Sequence, residues 1–154
     1  MPATIVELAV LALGSRQDAR VAIERLAAIG PVILLSGLRS ANYVAVISDA
    51  STDSLIETWA GDEGDPAVAG ELRGGPGRKP DQRAIARLEV LRADHGADWL
   101  IATDESLASA RACKGLRVIC LGPGNDQLDP TRPDHRAHSL LEAARFIETT
   151  AAFA

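Results

Sequence analysis

Short apolar runs alternate with segments of helical period along the chain, and this alternation limits the fold more than any other feature. Four runs stand out: residues 4–13 (TIVELAVLAL), then PVILLSG, DWLIATD and LRVICLG. A strand that is apolar at consecutive positions needs cover on both faces, as in a parallel sheet wrapped by helices. Between and after the runs, residues 16–29, 81–95, 105–115 and 139–153 have helical character. Val21, Ile23, Leu26 and Ile29 supply the buried side of the first helix, and Ile85, Leu88 and Leu91 that of the second. Strands alternating with helices predict an α/β fold, a three-layer sandwich around a mostly parallel, Rossmann-like sheet.

Punctuation supports these limits. Gly30 and Pro31 stop the first helix, Gly96 ends the helix over 81–95, and Gly115 closes the one after DWLIATD. Tyr43, Val44, Val46 and Ile47 suit either a strand or a helix, and a short helix over 51–59 is expected, capped by Ser51 or Thr52. The stretch from 61 to 80 is polar and rich in Gly and Pro, and the expectation for 61–78 is a minimal cap or a mobile loop. The segment PGNDQLDPTRPDHRAH reads as a loop before the terminal helix.

A chain of 154 residues, 47% of them apolar, fits a single domain over 1–154. Sixteen basic residues against twenty-one acidic ones give a net charge of −5, which argues against a partner bound by neutralising nucleic-acid phosphates. The first apolar run is short, contains Glu7 and has no basic flank, so it reads as a buried element of a cytoplasmic protein and not as a signal or membrane segment. Cys113 and Cys120 lack a disulfide framework and read as reduced core residues. His95, His135 and His138 have no metal-binding spacing and read as surface or loop residues; Trp59 and Trp99 read as core, with an exposed anchor for a partner the alternative for Trp59.

In open parallel sheets ligands bind beyond the carboxyl ends of the strands. The residues there are Ser36 and Gly37 after the second run, and Asp104 and Glu105 after DWLIATD; Lys79 stands before a helix. A hydroxyl and a lysine are donors for phosphate oxygens, and two carboxylates are hard ligands for Mg²⁺. Each also has a plainer role: Ser36 satisfying backbone groups, Lys79 solvated, Asp104 capping the next helix.

In that order these residues resemble the haloacid dehalogenase (HAD) superfamily. VILLSG is similar to its second motif through Ser36, GRKPD to its third through Lys79, and WLIATDES to its fourth through Asp104. The following helix, glycine and strand, and the tail PDHRAHSLLEAARFIE, resemble the family's last segments. The resemblance implies a phosphate site at Ser36, Gly37 and Lys79, and weak Mg²⁺ binding at Asp104 and Glu105, with no cofactor required. Two departures mark a degenerate member. The family's first strand ends in D-x-D, where a nucleophile precedes an acid/base; here Glu7 and Ala9 fall at those places, and Ala108 replaces a second acidic residue in the fourth motif.

A glutamate at the nucleophile position misplaces the attacking oxygen, and an error of about 1 Å costs roughly a hundredfold in rate. Loss of the acid/base costs about another 10²–10⁴. The expectation is a pseudoenzyme that binds a phosphorylated small molecule or a protein partner, alone or as a homo-oligomer, with no nucleic acid or membrane involved. An alternative is a Mg²⁺-dependent phosphohydrolase using Glu7 or a metal-bound water. A third is a PIN-like nuclease, to which WLIATDESLASARACKGLRVI bears a likeness.

Overall fold

The computed structural model describes residues 3–7, 10–11, 14–35, 44–47, 82–121 and 132–152, with the side chains at 16, 44–47, 83, 105 and 152 left out. Its strands are β1 (Ala3–Glu7), β2 (Val32–Leu35), β3 (Val44–Ile47), β4 (Ala97–Ala102), β5 (Arg117–Leu121) and β6 (His135–Ala137). Its helices are α1 (Arg16–Ile29), α2 (Gln82–His95), α3 (Leu107–Ala112) and α4 (Leu140–Ala152), and a 3₁₀ turn, Asp104–Ser106, joins β4 to α3. Every residue of β1 and β2 is buried, as expected of strands covered on both faces.

Side chains on a strand alternate between the two faces, and the apolar ones here divide into two cores. Val6, Leu34, Ile101 and Ile119 pack with α1 and α4 through Ile23, Leu26, Ala143 and Ile147. Ile5, Ile33, Leu35, Leu100 and Val118 pack with α2 and α3 through Leu88, Leu91, Leu107 and Ala110. The fold is therefore a three-layer α/β sandwich. Burying each of these large aliphatic side chains contributes about 1.5–3 kcal/mol, so the two cores hold the layers together. Trp99 lies in the first core, with Phe146 edge-on to it at 5.8 Å and the Arg117 guanidinium 4.2 Å from its ring centre.

α1 shows how sequence fixes an element. The Ser15 side chain accepts from the Asp18 amide at 3.1 Å and Asp18 lies in the first turn, where a carboxylate favours the helix dipole. At the other end the Gly30 amide still reaches the Leu26 carbonyl, and Pro31 cannot carry the helix further. Between α2 and β4 the chain turns through Gly96 at φ 65°, a left-handed conformation that glycine adopts without steric cost.

The sheet order is β3-β2-β1-β4-β5-β6, with β3 antiparallel to β2 and the other neighbouring pairs parallel. Two expectations are corrected here, on the first strand and on His135, and the strand-or-helix choice around Val46 is decided. The first strand stops at Glu7 and does not run on to residue 13. The segment around Val46 is a strand, antiparallel at the sheet edge. His135 begins β6, within a segment expected to be loop, and its ring stacks on Phe146 at 3.7 Å. The expected helix over 51–59, Trp59 and the 61–78 loop lie outside the described residues.

Candidate functional site

The chain passes from β1 to β2 on one side and later returns to place β4 on the other, so the topological switch point lies between β1 and β4. Ligand crevices of open α/β sheets form there, beyond the carboxyl ends of the strands. Glu7 is the last residue of β1, and Ala102 the last of β4. The pairings Glu7↔Leu35, Val6↔Ile101, Ala102↔Cys120 and Cys120↔Arg136 set Leu35, Glu7, Ala102, Cys120 and Arg136 in one row at this edge. Leu35, Ala102 and Cys120 all belong to the core under α2 and α3, so the row faces those helices.

The turn after β4 rests on this row and is held at two points. Thr103 donates to Glu7 Oε1 twice, from its amide at 3.2 Å and from its hydroxyl at 2.9 Å, and the Ser106 hydroxyl donates to Oε2. The Cys120 thiol lies 3.8 Å from the Thr103 carbonyl oxygen. On the β6 side, Arg136 Nη1 donates to Asp104 Oδ1 at 2.8 Å.

Thr103 and Ser106 stand at the N-cap positions of the 3₁₀ turn and of α3, yet neither side chain caps. Their hydroxyls are turned instead onto a carboxylate about a hundred residues earlier in the chain. The plainer of the two readings of Asp104, as cap of the next helix, does not hold: Thr103 and Ser106 stand at the cap positions, and Asp104 pairs with Arg136.

The two carboxylates at this edge differ in setting. Glu7 is 2% exposed. A buried carboxylate is costly unless donors replace its water, and each donor left unmatched costs about 1–3 kcal/mol, so Glu7 and its donors stabilise one another. Asp104 and Arg136 have side chains 39% and 21% exposed. An ion pair screened to this extent contributes about 0–1 kcal/mol.

Of the residues singled out from sequence, Glu7 and Asp104 are brought to one edge. The 3₁₀ turn includes the backbone of Glu105, whose side chain is not described; Ser36, Gly37, Lys79 and Ala9 lie outside the described residues. Among the described residues no group of three or more His, Cys, Asp or Glu is placed to hold a metal ion, and no helix is long and apolar enough to cross a membrane. Thr103, Ser106 and Arg136 were not expected at the site. The local signal for the first two is a pair of hydroxyls flanking Asp104 and Glu105; for Arg136 there is none, because HRA carries no apolar strand pattern. Cys113 and Cys120 are buried free thiols. Burial pushes the Cys113 thiol up, Glu89 adds to this, and Arg92 opposes it.

Comparison with protein-family models, with curated proteins and with solved structures returned no match.

Proposed function

We propose that this chain is a phospho-ligand-binding α/β domain that does not hydrolyse its ligand. One observation carries the reading: the carboxylate at the end of β1, where a nucleophile would stand in the resembling family, is buried and accepts three hydrogen bonds from Thr103 and Ser106. Both oxygens of Glu7 are engaged, and attack on phosphorus requires a carboxylate oxygen directed at the ligand and able to leave its donors. Ser36, Gly37 and Lys79 are proposed as the phosphate donors from the resemblance alone. The carboxylates after β4 are proposed to give at most weak Mg²⁺ affinity.

An aryl phosphate at saturating Mg²⁺ tests this reading with the wild type, Glu7→Gln and Asp104→Asn in parallel, alongside equilibrium dialysis of the same compound. Binding without turnover in all three is the expected result. Turnover in the wild type that disappears in Glu7→Gln would make Glu7 the nucleophile and overturn the proposal. Turnover that survives Glu7→Gln but not Asp104→Asn would assign hydrolysis to the carboxylate after β4, and would equally overturn it.

A further inference from the structure

We propose that Arg136 receives the phosphate of the ligand, and that Asp104 occupies its guanidinium until the phosphate displaces it. This rests on the phospho-ligand reading above and adds to it a residue on β6.

The register puts Arg136 level with Ala102 and Cys120 at the carboxyl edge, on the same face as the turn that carries Asp104. It stands on a strand whose backbone is paired to β5, so its Cα is fixed while the side chain can change partner. Three donors of the turn, the Thr103 amide and hydroxyl and the Ser106 hydroxyl, serve Glu7. Among the described residues at this edge, Arg136 offers an anion a donor that retains its charge throughout the accessible pH range and matches phosphate oxygens with its planar fork.

Exchange is favoured by charge and by solvent access. Asp104 is a monoanion in a partly exposed pair, whereas a phosphomonoester near neutral pH carries close to two negative charges. Asp104 in this arrangement keeps the guanidinium aimed at the edge and competes weakly with the ligand. A metal-ligand role for Asp104 predicts the opposite sign for its removal, because phosphate would then bind through the cation that Asp104 holds.

Calorimetric titration with inorganic phosphate, with and without Mg²⁺, separates these outcomes for the wild type, Asp104→Asn, Arg136→Gln and Arg136→Lys, each checked for folding by urea unfolding. Asp104→Asn is expected to tighten phosphate binding several-fold. Arg136→Gln should weaken it by roughly tenfold or more, the loss of a charge-assisted hydrogen bond, and Arg136→Lys should fall between that variant and the wild type. Wild-type binding that neither position alters would overturn the inference and leave the phospho-ligand reading in place. Weaker binding in Asp104→Asn would overturn it in favour of a site that needs the carboxylate. If the wild type itself binds no phosphate, both the inference and the reading beneath it fail.

Discussion

The β1 end and the β6 end of the same row treat a carboxylate in opposite ways. Glu7 is buried under three hydrogen bonds, and Asp104 shares a partly exposed ion pair with Arg136. Desolvation makes the difference. A carboxylate removed from water must keep its donors, because releasing one leaves unmatched polar groups in the interior. A carboxylate near the surface can lose its partner to water or to another anion at little cost. One end of the edge thus holds the fold, and the other can exchange partners.

The largest effect that would break this comparison is at Glu7. Glu7→Ala removes the acceptor for three donors and leaves a void, so unfolding in urea should show a loss on the order of 3 kcal/mol. A loss below about 1 kcal/mol would mean that Glu7 is not the acceptor that holds the turn. Thr103→Val removes one of the hydroxyls and keeps the volume, and a loss of about 1–2 kcal/mol is expected by the same measurement. Asp104→Asn should change stability by less than about 1 kcal/mol, and that change should shrink in high salt.

The smallest effect concerns Cys113, at the far end of α3. Its raised pKa means that the folded chain keeps the thiol proton after the unfolded chain has lost it. The resulting stability is fully present below the ordinary thiol pKa of about 8.5 and is lost as pH rises through the folded-state value. Native-state alkylation of Cys113 should accordingly be slow at neutral pH and quicken in urea; rapid labelling of the native protein would contradict its burial.

The layers and most element limits were legible because they rest on local signals. α1 spans the predicted 16–29 and ends where Gly30 and Pro31 predict, and the apolar runs of β2, β4 and β5 mark strands covered on both faces. β6 was not legible: it is three residues long, two of them polar, and its pairing with β5 is what makes it a strand. The direction of β3 was hidden for a similar reason, since an apolar tetrapeptide carries no sign of which way it will pair. At the site, Glu7 drew attention as an acidic residue in an apolar run, but its partners did not. Thr103 and Ser106 lie 96 and 99 residues away, and only the closing of β1 against β4 brings them to it. Read locally, TDES offers its carboxylates as the chemistry and its hydroxyls as caps; in the fold the hydroxyls serve Glu7 and Asp104 turns to Arg136.

The most direct test of the Glu7 anchor is a double-mutant cycle between Glu7→Met and Ser106→Ala, read by urea unfolding. Each single change strands the other partner, while the double change removes both, so the account predicts a coupling of about 1–3 kcal/mol, with the double variant losing less than the two singles together. Additive losses would show that Glu7 and Ser106 do not hold each other in solution, and would return the β1 carboxylate to the list of groups free to act on a ligand.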